Sequence, residues 1–421
     1  MISSLHHCFK PNKKIGIFGY GVSGKGAAYL CEKEHLAYDI VDENIAEMLA
    51  PHFEHYHLCV FSPGFSQQHR WWKTANSLNI PCVTELDFAA SFSTSPIFAV
   101  TGTNGKTSTV TLLTQLLQLC GHPAIDVGNN GRVLSKAIAD EILPTNGIFV
   151  CEVSSFQAVA LNYLHPACTL FTNIAIDHLN YHKNFENYLA AKLHLLSLTD
   201  GPIICGNNLK FFVKNYKNTY FSPPINEIQS WLDLFPTCCA SGQRENFALI
   251  KTFADVYHIP TDFLNSCLQR FTPPPHRLHC CYTNERIEFW NDSKATNLHA
   301  VQAALQSFEN KKKVRFILGG KSKGEDLQNF VKTFNRYPEV ECIYLIGETG
   351  KELAEKAKQF HAQTIYCETL ENVFKILKAI KNPNFCIVFS PGFSSFDQFT
   401  SFEHRGDVFE QLVHQNFAQH I

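Results

Sequence analysis

The chain has 421 residues, more than one ordinary hydrophobic core holds, so two to three domains are expected. Hydrophobic residues make up 45% and charged residues 18%, and a formal charge of −2 with intermixed signs leaves no basic face for nucleic acid or an anionic membrane. No apolar run approaches the ~18 residues of a membrane span, and residues 1–14 lack the apolar centre of a secretion signal. A cytoplasmic chain without membrane insertion is expected. The sixteen cysteines include no C-x-x-C, and Cys238–Cys239 and Cys280–Cys281 are sequence neighbours. Scattered buried thiols in a reducing cytosol account for them better than disulfides or zinc.

Three successive segments alternate short apolar strands with amphipathic helices, the pattern of α/β units with mostly parallel sheets. The boundaries fall at residues 1–93, 94–274 and 275–421, with a small polar linker at 91–96 and a proline cluster at 273–275. The first segment has strands at 15–18, 37–41 and 58–61. Between the first two, Gly19-Tyr20-Gly21-Val22-Ser23-Gly24 follows a strand and opens a helix, and Asp42 ends the next strand. That fits a dinucleotide fingerprint but leaves NAD and other nucleotides open. The hexapeptide Phe-Ser-Pro-Gly-Phe-Ser occurs at 61–66 and again at 389–394, each time after a strand, and reads as two similar strand-to-loop turns.

In the second segment, strand 97–101 runs into Gly102-Thr103-Asn104-Gly105-Lys106-Thr107-Ser108. A helix follows, marked by Val110, Leu113, Leu116, Leu117 and Cys120 and stopped at Gly121 and Pro123. Strand, glycine loop and helix together make a phosphate cradle, although Val100 stands where the usual first glycine would be. Lys106 would neutralise β/γ-phosphate oxygens and the Thr107 hydroxyl would bind Mg²⁺. Strand 148–151 ends in Glu152, a carboxylate placed to ligate Mg²⁺. Strand 168–174 leads to Asp177, His178 and His182, whose spacing suggests zinc, but no cysteine or glutamate completes the set. On helix 188–193, periodicity puts Lys192 at the edge of a stripe of Leu189, Leu193 and Leu196, with a buried stem and a solvated tip.

The third segment has strands near 287–290, 314–318, 342–346 and 385–389. Asn291-Asp292-Ser293-Lys294-Ala295-Thr296-Asn297 lies before a helix faced by Leu298, Val301, Leu305 and Phe308. It reads as a ligand loop or as a capped helix start, with Ser293 or Thr296 as cap. Gly319-Gly320-Lys321-Ser322-Lys323-Gly324 follows a strand and suits an anion.

Taken in order, Thr101–Thr107, Glu152–Gln157, Asp177-His178, Ala190-Ala191-Lys192, His276-Arg277 and Asn291–Asn297 resemble the Mur ligase family over essentially the whole chain. Ser390-Pro391, Ser395-Phe396-Asp397-Gln398-Phe399 and Phe402-Glu403-His404-Arg405-Gly406 look like its D-glutamate-adding branch. The resemblance implies a Rossmann-like N-terminal domain, a central P-loop ATPase-like domain and a Rossmann-like C-terminal domain. It implies a monomer that forms an amide bond at the expense of ATP, with Mg²⁺, from UDP-N-acetylmuramoyl-L-alanine and D-glutamate. Gly21, Val22, Ser23, Gly24, Asp42, Asn129 and His178 would bind the UDP substrate, which decides the glycine fingerprint against NAD. Residues 102–108 with Asn246, Arg277, Asp292 and Lys294 would bind ATP. Lys106, Glu152, His178 and Lys192 would be catalytic. Thr107, Glu152, His178 and Lys192, the last as a carbamate, would hold the metal. Thr296, Lys323, Ser395 and Phe402 would bind the amino acid. Two departures stand out: Gly242–Glu245 replaces a family His-Asn pair before Asn246, and Gly392 replaces an alanine, a change expected to be tolerated.

Overall fold

A computed structural model describes residues 13–45, 51–144, 146–235, 241–309, 313–381 and 383–418. The chain forms two compact units: residues 1–174, 186–228 and 246–270 make the first, and 175–185, 229–245 and 271–421 the second. The α/β class with mostly parallel sheets, expected from the alternating pattern, is what the structure contains.

The first unit holds two sheets. One has the order β2-β1-β3-β4, from Lys14–Phe18 (β1), Tyr38–Val41 (β2), Tyr56–Phe61 (β3) and Cys82–Thr84 (β4). The other has the order β10-β9-β8-β5-β7-β6, from Ile97–Thr101 (β5), Ala124–Gly128 (β6), Ile148–Glu152 (β7), Cys168–Phe171 (β8), Ile203–Cys205 (β9) and Thr219–Phe221 (β10). All of these strands pair in parallel. Helices cover both faces of such sheets, so β3, β5 and β7 are buried at every position, the polar His57, Thr101 and Glu152 included, and are otherwise apolar. One core spans both sheets, joining Ile15, Leu58 and Phe88 to Ala99, Phe149 and Val153. The fully buried Asp87 reinforces it by accepting the backbone N–H groups of Asn162, Tyr163 and Leu164 at 3.0, 3.0 and 2.9 Å. Residues 91–96, expected to be a linker, therefore join two tightly packed layers.

The second unit has one sheet of order β11-β12-β16-β13-β14-β15. Its strands are His279–Thr283 (β11), Ile287–Asn291 (β12), Val314–Gly319 (β13), Val340–Ile346 (β14), Gln363–Glu368 (β15) and Phe385–Phe389 (β16). Only the β11–β12 pair is antiparallel. Val314, Phe316 and Leu318 face one core while Phe289, Ile317 and Phe389 face the other, as alternation along a strand requires. No disulfide links the described cysteines; Cys238 and Cys239 lie outside the described residues.

Candidate active site

In the first unit, the glycine loop lies at the C-terminal end of β5, where the strand order reverses between β7 and β8. Gly102 and Gly105 have φ of +146° and +81°. A Cβ at Gly102 would collide with the Thr172 hydroxyl, and one at Gly105 with the Asn246 amide. Glycine is therefore required at both positions. The helix Lys106–Leu119 begins here with Gly105 as N-cap and no side-chain hydrogen bond capping its start. Val110, Leu113, Leu116 and Leu117 form its buried face as the sequence predicts, and Cys120 caps its C-terminus.

Lys106 Nζ donates to the carbonyls of Gly102 (3.0 Å) and Thr103 (2.9 Å), folding back over the loop. Thr107 Oγ1 donates to Glu152 Oε2 at 2.7 Å, and Asn129 Nδ2 donates to Glu152 Oε1 at 3.0 Å. Thr107, Glu152 and Asn129 thus form one chain at the ends of β5, β7 and β6. Glu152 is buried, and its backbone carbonyl also accepts the Asn129 N–H.

Lys192 corrects the reading from periodicity. The buried face of helix Phe185–Ser197 is Tyr188, Ala191, Lys192, Leu195 and Leu196, so the lysine sits within the stripe, not at its edge. Its side chain is 1% exposed, its tip is not solvated, and Nζ donates to Gly102 O at 2.7 Å. It lies 4.8 Å from the centre of the Tyr188 ring, whose hydroxyl meets Thr103 Oγ1 at 3.0 Å. Lys106 and Lys192 thus converge on one carbonyl. Thr172 and Asn173, which the sequence reading passed over, fasten the loop. Thr172 Oγ1 donates to Asn104 O at 2.6 Å, and Asn173 Oδ1 accepts the Asn104 N–H at 3.0 Å. Their position just after β8, adjacent to β5, was the available signal. Asn246, despite the departure before it, lies against Gly105 and accepts from Thr109 Oγ1 at 3.3 Å.

At the switch between β1 and β3, Gly24 packs so closely on the Gly19 carbonyl that a Cβ would collide with it. Helix Val22–Lys33 starts at Gly21 with no side-chain cap and with Val22 exposed. Asp42 accepts the N–H groups of Tyr20 (2.6 Å) and Asn44 (2.8 Å), and these two bonds hold its carboxyl below the usual range. The carboxylate therefore organises the glycine loop itself.

The second unit carries the remaining candidates. His178 (φ +54°) starts the helix Leu179–His182, and its N–H donates to Asp177 Oδ1 at 2.8 Å. Asp177 is buried; desolvation opposes its ionisation, but Lys323 at 3.5 Å, His178 and the Asn297 amide at 3.0 Å outweigh it and hold the carboxyl low. Asn297, not Ser293 or Thr296, caps the helix Leu298–Ser307, its Oδ1 accepting the Ala300 N–H at 2.9 Å. Asp292 accepts Ser390 Oγ (2.7 Å) and the Leu278 N–H (3.1 Å). Burial pushes its carboxyl up to about 7 against these bonds and the pull of Arg277. Lys294 Nζ stands 3.7 Å over the Phe402 ring, so an expected ATP contact and an expected amino-acid contact meet here. Ser395 is buried and Thr296 half-buried in the loops around them. Gly392 is needed and not merely tolerated: its φ is +78°, and a methyl there would lie 2.7 Å from the Phe330 ring.

The Mur ligase middle domain profile matches residues 100–224, and the profile of the Mur ligase, glutamate ligase domain, matches 276–393. UDP-N-acetylmuramoylalanine–D-glutamate ligase of Chlamydia abortus is 30% identical, covering 96% of this chain and 98% of that one. Its Chlamydia pneumoniae counterpart is 31% identical with the same coverage, and that of Aquifex aeolicus is 29% identical over 95% and 98%. Among solved structures, MurF ligase from Thermotoga maritima in complex with ADP superimposes with a TM-score of 0.62 at 14% identity, over 96% of each chain. UDP-N-acetylmuramate-alanine ligase from the same organism gives 0.60 at 15%, over 96% and 99%. The chain belongs to the Mur ligase family. It is an ATP-dependent ligase of peptidoglycan synthesis with that family's fold.

Proposed function

We propose that this chain joins D-glutamate to UDP-N-acetylmuramoyl-L-alanine with hydrolysis of ATP to ADP and phosphate, acting as a cytoplasmic monomer. The observation that carries the reading is the arrangement at the end of β5, where the Thr107–Glu152–Asn129 chain and two lysines on the Gly102 carbonyl flank an uncapped helix start. The amino-acid specificity is supported by the tail residues 395–406 and by the relatives' names.

In this reading residues 1–93 bind the UDP part through the start of helix Val22–Lys33, residues 94–274 bind ATP, and residues 275–421 bind the amino acid. Hydroxyl and carboxylate are the hard oxygen donors that Mg²⁺ takes, so Thr107 and Glu152 fit such an ion, with His178 and carbamylated Lys192 completing the set. When bound, Mg²⁺ would neutralise charge on the β- and γ-phosphates. Lys106 swings from the loop carbonyls to the γ-phosphate as the acceptor's carboxylate attacks it, and ADP leaves. The resulting acyl phosphate is displaced by the amine of D-glutamate, which forms the amide and releases phosphate. Asn129 positions the muramyl substrate, Asn246, Arg277, Asp292 and Lys294 the nucleotide, and Thr296, Lys323, Ser395 and Phe402 the amino acid.

A heavy-oxygen label in the acceptor carboxylate tests the route: one labelled oxygen should appear in the released phosphate, and unlabelled phosphate would contradict it. Lys106→Ala should abolish turnover with the fold intact by circular dichroism; near-normal turnover would remove its phosphate role. Lys192→Ala should be inactive and regain activity with a small carboxylate, which supplies the anion a carbamate would provide; an inactive variant that no carboxylate restores would contradict the carbamate.

A further inference from the structure

Arg405 is the largest fully buried side chain of the second unit, 1% exposed, and no carboxylate among the described residues approaches it as an ion-pair partner. Among the described residues its guanidinium donates to neutral oxygens alone. Nε reaches Ser293 Oγ at 3.1 Å, one terminal nitrogen the Phe393 carbonyl at 3.1 Å, and the other the Ser293 carbonyl at 2.8 Å. A buried cation without a carboxylate partner is costly. Burial pulls the pKa down to about 9, still on the charged side of neutrality, and Asp397 and Asp292 act on it only through space. The Asp397 carboxylate accepts the Glu348 N–H at 3.1 Å, and Asp292 is itself pushed up to about 7.

The fork ties together loops that carry the amino-acid candidates. Ser293 lies in the loop of Thr296, and Phe393 lies two residues before Ser395. Gly320, whose Cβ would fall 3.1 Å from the guanidinium, lies in the loop of Lys323. That loop is stitched to the Phe393 loop by paired backbone bonds between Lys321 and Ser394 (2.8 and 3.2 Å). Ser293 Oγ passes the connection on to the Phe402 carbonyl at 2.8 Å. A planar fork reaching several carbonyls at fixed angles is work for arginine that lysine does poorly.

We infer that Arg405 is a positioning and specificity-determining residue of the amino-acid site: it fixes the loops of Thr296, Lys323, Ser395 and Phe402, and its buried charge, which no carboxylate among the described residues pairs directly, makes that site select a dicarboxylic amino acid over its neutral amide. This rests on the amino-acid reading proposed above.

The experiment measures kcat and KM by phosphate release for wild type, Arg405→Met and Arg405→Lys, each with D-glutamate and with D-glutamine, and the KM for ATP in parallel. Wild-type turnover with D-glutamate tests the underlying reading; the variants test this inference. The methionine variant should lose at least about tenfold in its preference for D-glutamate over D-glutamine, the scale of a charge-assisted contact, with the ATP KM within about twofold. The lysine variant keeps the charge without the fork. It should keep most of the preference but raise the D-glutamate KM by about tenfold. An unchanged preference in a folded methionine variant overturns the charge role. A lysine variant whose amino-acid and ATP KM values rise together, or whose amino-acid KM does not rise, overturns the positioning role, and it decides the matter if the methionine variant does not fold.

Discussion

The same six residues, Phe-Ser-Pro-Gly-Phe-Ser, leave the C-terminal ends of β3 and β16 and meet different fates. At 61–66 the turn is largely at the surface: a Cβ on Gly64 would meet nothing within 4 Å, and Ser62 Oγ donates to the Gly19 carbonyl at 3.0 Å. At 389–394 every residue is buried, Gly392 has φ +78° against Phe330, and Ser390 Oγ donates to the Asp292 carboxyl at 2.7 Å. Local sequence specified a strand followed by a turn in both places. The conformation of each glycine and the charge of each serine's partner came from the surroundings.

The largest break in the comparison should come from Gly392→Ala. A left-handed backbone and an overpacked Phe330 together should cost about 2–4 kcal/mol in urea unfolding, while Gly64→Ala should stay within about 0.5 kcal/mol; equal losses would refute the asymmetry. Next, Ser390→Ala removes a donor from a buried carboxyl and should cost about 1–3 kcal/mol, against about 0.5–1.5 kcal/mol for Ser62→Ala, whose acceptor is a neutral carbonyl. The smallest effect is on pH dependence. Asp292 binds its proton more tightly when folded than unfolded, so its contribution to stability falls as pH rises from about 4 to about 7. Asp42 has the opposite sign: its carboxyl is held low, so its contribution is present above its unfolded value and lost as pH falls through the lower folded one. Thermal midpoints should accordingly fall less toward pH 7 in Asp292→Asn, and fall less toward acid in Asp42→Asn, than in wild type. Parallel curves for either variant and wild type would contradict the assignment.

How much was legible follows the same division. Strands 97–101 and 385–389 were readable to the residue because buried parallel strands are apolar runs bounded by glycine or polar residues. The three-residue strands β4, β9 and β10, the antiparallel edge β11 and the edge strands β6 and β15 were missed, being too short or too polar to show a period. The glycine loop was legible because its tight turn requires backbone conformations that only glycine supplies cheaply. Lys192 was misread because periodicity treats a charged residue as solvated, and nothing local says that a carbonyl from β5's loop waits inside. Arg405 was invisible as a hub for the same reason: its partners lie in loops far away in sequence.

The most direct test is a panel of amino acids assayed by phosphate release with ATP, Mg²⁺ and UDP-N-acetylmuramoyl-L-alanine. D-glutamate should elicit phosphate and a product heavier by one glutamyl residue, while L-lysine, meso-diaminopimelate and L-alanine should not. Release elicited by one of those three and not by D-glutamate would contradict the assigned substrate, and no release with any amine would contradict the ligase reading as a whole.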